Sequence, residues 1–337
     1  MKTWIGSALF SSIAAALVAV SGAASAQQFT MKISAPTAND VSTEWMAAVK
    51  KGIESRTGGK IKVELYPANQ LGQLPATVEG VALGTIEMSL PAVGFLVGLE
   101  QRFEVFDIPG IFDSVPHGMQ VLTDPEVRKR LSGFGASKGI EPLVTYINGP
   151  MLLLSHKPVR AVADFKGQKI RAPGGAPIQM DPLKRLGALP LSMPLGEVLP
   201  ALQNRATDGT EAAFAVFTSF KYFDVAKGLT YLPGTYLVAS GVVNRNWLKS
   251  LGPDLEAIVR DESRKAEALY STWGVEDLNR IAATWQKNGG QLITMAPAEA
   301  KRYLDETGAA VASILSSHPQ VKQDYDALLA AAKKYRK

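Results

Sequence analysis

Apolar residues gather in short runs along the chain, and the spacing of those runs predicts strands and helices in alternation. "FTMKISAP" (29–36) and "KIKVELYP" (60–67) each stop at a proline, which has no N–H for a continuing ladder, and both are expected as strands. Between them Trp45, Ala48, Val49 and Ile53 recur at three- and four-residue steps, the period of a helix with one buried face. "TGGK" then supplies a glycine suited to a left-handed cap. "LPATVEGVALG" reads as a second helix and "TIEMSLPAV" as a third strand. Strands and helices taking turns in this way imply a parallel sheet covered by helices.

Further along, "LVTYINGPMLLLSHKPV", "QKIRAP" and "LPLSMP" are strand-like, separated by helical stretches around 176–187 and 197–204. Pro200 is tolerable in the latter if the helix starts at Gly196, because amides of a first turn have no intrahelical acceptor. One long helix is expected from about 254 to 288, followed by a strand at "QLITM" and a helix opened by Pro297. There is neither an internal repeat nor a low-complexity linker, so the two domains suggested by length are expected to share crossing segments.

Composition places this pattern outside the cytoplasm. The first residues carry one basic side chain, Lys2, then a largely apolar stretch, and end at Ala24-Ser25-Ala26, the small-x-small pattern of a secretory cleavage site; residues 1–26 are expected to be removed. No later run approaches the roughly 20 apolar residues of a membrane span. Cysteine is absent, so an exported chain of this size must rely on its apolar core, and thiol catalysis and zinc-thiolate sites are excluded. The formal charge of +5 is spread among mixed charges with no basic stripe for nucleic acid; "KKYRK" reads as a solvated terminus.

Catalytic patterns are missing. His117, His156 and His318 are far apart and form no HExxH pair, and the chain lacks GxSxG, GxxxxGK[ST] and GxGxxG. "APGGAP" has neither the lysine nor the serine of a phosphate loop. No catalytic residue, metal ligand or cofactor is assigned. One residue stands out instead: in "DFKGQKIRAP", Arg171 sits between Ile170 and Ala172 in a run that reads as a buried strand. A guanidinium stripped of water needs an anion or several acceptors in exchange. An internal acid such as Glu211 and an incoming ligand are both candidates.

The succession "YPANQLGQL", "GVALGTIEMSL", "FDIPGIF", "DFKGQKIRAPG", "PLSMPLGEVLPALQNRATDG" and "LGPDLEAIVRDES" resembles the extracytoplasmic solute-binding subunits of TRAP transporters, the DctP-like family, in order along essentially the whole mature chain. The resemblance implies an α/β, two-lobe periplasmic-binding-protein-like fold, each lobe a mixed sheet flanked by helices, with a long helix spanning both. The expected lobes are 27–148 plus 237–276 and 149–236 plus 277–337. It further implies a periplasmic monomer that captures a small organic acid for a membrane permease, without catalysis and without nucleic acid. Arg171 falls where the family places its carboxylate-binding arginine, and a planar fork of donors suits a carboxylate better than the point charge of lysine.

The departures from the family bear on the ligand. Members that bind sugar acids carry a second arginine, an asparagine and other polar groups where this chain reads Met151, Ala212, Ala92 and Phe95, and Leu195 stands where an aromatic often sits. Such a pocket leaves ligand hydroxyls unpaired, at about 1–3 kcal/mol each. The expected ligand is a monocarboxylate with an apolar or aromatic body, its head on Arg171 and its body along Phe95, Met151, Leu195 and Phe214, with Gly174 beside it and Glu211 positioned by the motif. A ligand-binding module feeding a sensor would share this pocket, and a periplasmic enzyme is the least favoured reading.

Overall fold

The computed structural model describes residues 29–336; the expected leader and its cleavage site lie outside the described residues. Among the described residues the strands are β1 (Phe29–Ser34), β2 (Ile61–Tyr66), β3 (Met88–Ser89), β4 (Ile140–Ser155), β5 (Lys169–Ala172), β6 (Leu189–Ser192), β7 (Gly209–Ala213), β8 (Gly228–Asn244) and β9 (Gln291–Ile293). The α-helices are α1 (Val41–Arg56), α2 (Leu74–Leu83), α3 (Val115–Leu122), α4 (Pro125–Leu131), α5 (Pro177–Arg185), α6 (Leu195–Gln203), α7 (Phe214–Ser219), α8 (Arg245–Ser250), α9 (Pro253–Lys265), α10 (Ala268–Ser271), α11 (Trp273–Lys287), α12 (Pro297–Ser317) and α13 (Pro319–Tyr335).

The strands join into one mixed sheet of order β2-β1-β3-β8-β4-β7-β5-β6, with β9 added to β8. β4 and β8, at 16 and 17 residues, run antiparallel through both lobes and are the crossing segments. Parallel pairs β1–β2 and β1–β3 build the first lobe, and β5–β6 and β5–β7 the second. The ladder between β4 and β8 is interrupted where the lobes meet: Asn148 is an extra residue between Ile147 and Gly149, and residues 232–235 leave the pairing between Tyr231 and Tyr236. Bulges of this kind bend a strand and turn a side chain out of the ladder.

Capping chemistry fixes the element ends. Asp40 caps α1 by accepting from the amides of Ser42 and Thr43, and Gly84 closes α2 at φ 81°, a left-handed conformation that glycine adopts without a Cβ penalty. The third strand is shorter than its sequence run because the Thr85 and Ile86 amides turn back to the Gly80 carbonyl at one end and Pro91 has no N–H to donate at the other. Pro200 lies deeper in α6 than the first turn, since the helix begins at Leu195, with Pro194 at the position before it.

The single helix expected over 254–288 is three segments, α9, α10 and α11. At the first break the Ser263 carbonyl accepts from the Trp45 indole (3.2 Å), while the Glu267 amide turns to Arg264 (3.1 Å) instead of continuing the i−4 ladder. The segments still join the lobes. Val259 and Tyr270 are buried in the core of the first lobe, and Ile281 and Trp285 in that of the second. The second lobe has separate cores on the two faces of its sheet, around Leu152, Val198 and Trp285 and around Leu153, Phe165 and Tyr303. Sequence reading put 277–337 with the second lobe, but α13 packs with α3, α4 and the 3-10 helix Gln101–Asp107, and Val321, Leu328 and Ala332 belong to the first lobe's core.

Candidate functional site

Arg171 is 2% exposed, and among the described residues no acidic side chain forms an ion pair with it. Its Nε and Nη2 both donate to the carbonyl of Met193 (3.2 and 3.0 Å), and Nη1 donates to the carbonyl of Glu211 (3.2 Å). The alternative of an ion pair with Glu211 fails for a geometric reason. Arg171 pairs with Thr210 and Leu153 with Glu211, so by the two-residue alternation of strands the Glu211 carboxyl stands on the opposite face from the guanidinium. Three of the five N–H donors of Arg171 are used, and one remains on each terminal nitrogen. Burial pulls its pKa down to about 10, against the charges of Tyr222 and Glu211, so it remains a cation near neutrality.

The guanidinium lies at the wall of a cleft of ≈ 510 Å³, open mouth included, between the lobes. Leu74, Leu90, Ala92, Phe95, Leu195, Ala212, Val216 and Leu237 make most of its surface apolar. Its polar groups other than Arg171 stand on the first lobe: Thr37, Ser42, Tyr146 and Asn148. Ser42 Oγ and Tyr146 OH are 2.9 Å apart, Asn148 Nδ2 donates to Ser42 Oγ at 3.2 Å, and Tyr146 stacks on Tyr270 with ring centroids 4.0 Å apart. The lobes meet across the mouth, where the Gly196 amide donates to Gln73 Oε1 (3.3 Å) and Ser219 Oγ to the Ala38 carbonyl (3.2 Å). A side chain at 196 would collide with Gln73, 2.5 Å from an added Cβ.

Of the residues singled out in the sequence, Arg171, Phe95, Ala92, Leu195 and Ala212 line this cleft, and Met151, Glu211, Gly174 and Phe214 do not. Met151 pairs with Ala213 and lies on the face of Leu153 and Glu211. Met151 and Glu211 line a separate cavity behind the hinge, with Asp107, Gln179, Thr235 and Tyr303. Phe214 is buried in the second lobe, its ring edge-on to Tyr231, and Gly174 is pressed against Gly94 and Gln179 where the lobes touch. Sequence reasoning missed Ser42, Tyr146 and Asn148. Only a polar Asn next to a glycine and a proline in "INGPM", inside a strand-like run, hints at the bulge that aims Asn148.

Two of the three histidines are tied to backbone groups. His117 Nδ1 accepts from the Asp113 amide and its Nε2 meets the Ala332 carbonyl, both at 3.0 Å, and His156 Nε2 meets the Leu202 carbonyl at 3.0 Å. Among the described residues no group of three or more His, Cys, Asp or Glu is placed to hold a metal, and no helix is long and apolar enough to cross a membrane.

The description of bacterial extracellular solute-binding proteins, family 7, matches residues 34–317. The 2,3-diketo-L-gulonate-binding periplasmic protein YiaO of Escherichia coli K12 is 30% identical over 243 residues, 72% of this chain and 74% of its own. A TRAP periplasmic solute-binding protein from Shewanella oneidensis with bound succinate superposes with a TM-score of 0.83 at 24% identity, over 90% of this chain and 99% of that one. A Bordetella homologue, with density attributed to pantoate, superposes at 0.81 and 25% identity over 89% and 99%.

Proposed function

The chain belongs to the bacterial extracellular solute-binding proteins of family 7, the solute-capturing subunits of TRAP transporters, and we propose that its own solute is a monocarboxylate with an apolar or aromatic body. One observation carries the reading: a buried guanidinium with one unused N–H on each terminal nitrogen faces a cleft of mainly apolar walls. A carboxylate fits that fork with two parallel bonds, each contributing about 1.5–3 kcal/mol. It also returns to the cation part of the solvation lost on burial. The three protein bonds to Met193 and Glu211 hold the fork in place before the ligand arrives, so little rotamer entropy is spent in binding.

Relatives and neighbours carry a diketo-gulonate, succinate and pantoate in their names, a range that fits acid capture in general and leaves the acid to be read from the cleft. In this cleft the walls around Phe95, Leu195 and Ala212 offer no partners for a row of hydroxyls. Closure follows from contact with both lobes: a ligand on Arg171 from the second and on Phe95 and Leu74 from the first makes all its contacts only when the cleft is shut. The shut form then docks on the permease, outside the cytoplasm, with residues 1–26 removed and Gln27 as the first residue of the mature chain.

A thermal-shift screen tests the reading. Apolar and aromatic monocarboxylates are expected to raise the melting temperature of the wild type and not of Arg171→Ala. Strong stabilisation by a polyhydroxylated sugar acid with none by apolar acids would overturn it.

A further inference from the structure

Building on the carboxylate-capture reading, the geometry assigns Asn148 as a specificity-determining residue that selects a ligand carrying one hydroxyl at the end remote from its carboxylate. Asn148 is the extra residue of the β4 bulge, so it is released from the ladder and lines the cleft. Its amide has one permitted orientation. Nδ2 donates to Ser42 Oγ at 3.2 Å and lies 3.5 Å from Asp40 Oδ2. The flipped amide would set its oxygen against that carboxylate, so Nδ2 faces α1 and Oδ1 takes the other branch of the amide, away from Asp40 and Ser42. That oxygen takes no hydrogen bond from a described residue, and it can only accept. The ligand group that meets it must therefore donate.

Two further observations narrow the donor to a hydroxyl. Asp40 accepts from the amides of Ser42 and Thr43 and from Thr37 Oγ1 (3.1, 3.2 and 2.6 Å), is 1% exposed and does not line the cleft. A ligand ammonium would find no carboxylate to touch, while a second ligand carboxylate would meet the Asn148 acceptor with the Asp40 charge behind it. The adjoining cleft groups, Ser42 Oγ and Tyr146 OH, both donate and accept, which suits the remaining lone pairs of a hydroxyl. The cleft is thus cationic at the Arg171 wall and acceptor-lined at the α1 wall.

Calorimetric titration with matched acids tests this assignment: hexanoate, 6-hydroxyhexanoate and adipate, and phenylacetate against 4-hydroxyphenylacetate. In the wild type at least one hydroxylated member is expected to bind about tenfold more tightly than its parent, with adipate weaker than 6-hydroxyhexanoate. Asn148→Leu should cancel the hydroxyl preference, read as the ratio of hydroxylated to parent affinity within the variant. Equal binding of hydroxylated and parent acids by the wild type overturns the assignment without any variant having to fold, as does adipate binding most tightly. Retention of the preference in folded Asn148→Leu also overturns it. If instead no acid of the panel binds, or Arg171→Ala leaves their affinities unchanged, it is the carboxylate-capture reading that fails.

Discussion

Arg171 and Glu211 are neighbours through the backbone and strangers through their side chains, and Glu211 shares its own cavity with a second buried acid, Asp107. Burial pushes the Glu211 carboxyl up to about 8, an effect the Arg171 charge opposes and the Asp107 charge reinforces; burial likewise takes Asp107 up to about 7. Asp107 Oδ2 is buried without a hydrogen-bond partner. Between the ordinary carboxylate range near 4 and these values the folded protein holds protons that the unfolded chain has released. Their contribution to stability is therefore full below about pH 4 and is lost as pH rises towards 8. Denaturation of Glu211→Gln across pH 4–9 should show the variant gaining on the wild type as pH rises. A difference independent of pH would contradict a carboxyl held neutral by burial. At this scale the sequence was informative where a charge interrupted an apolar run, which is how Arg171 was found. It was misleading for Met151, because the face a strand residue takes depends on register, and register is set by partners far away in the chain.

Elements were legible wherever period and punctuation agreed: β1, α1, β2 and α2 follow their runs, and α1 ends at the TGGK turn, where Gly58 is left-handed at φ 57°. The broken helix was not, since the competitor for the Ser263 carbonyl is an indole 218 residues earlier. The bulges of β4 and the excursion at 232–235 were equally hidden, being mismatches between two strands and properties of neither alone. Gly234 anchors that excursion at φ 61°, its carbonyl accepting from the Gly110 amide at 2.8 Å, and an added Cβ would stand 3.2 Å from that same nitrogen. Gly234→Ala combines an unfavourable left-handed conformation with a tight contact, and a loss of about 1–2 kcal/mol is expected in urea denaturation. Unchanged stability would show that the excursion relaxes freely.

For the whole molecule the two-lobe plan was readable through the resemblance, and the allegiance of the last helix was not. α13 follows α12 in sequence but buries Leu328 and Ala332 in the first lobe, where Arg102 and Arg130 also reach its Asp324. The two bonds across the mouth, Gln73 with Gly196 and Ser219 with Ala38, are long and join surface groups, so they hold the cleft shut only weakly without a ligand. Small-angle scattering of the free protein is expected to give a larger radius of gyration than the same protein saturated with acid. Identical radii would mean that capture does not draw the lobes together.

β4 and β8 keep their mutual hydrogen bonds on both sides of the hinge, from Ile140–Asn244 to Ser155–Gly228. Lobes stitched together in this way resemble the boards of a book bound along its spine. Pairing on both sides of the hinge restrains twisting and sliding of the lobes more than it restrains their opening.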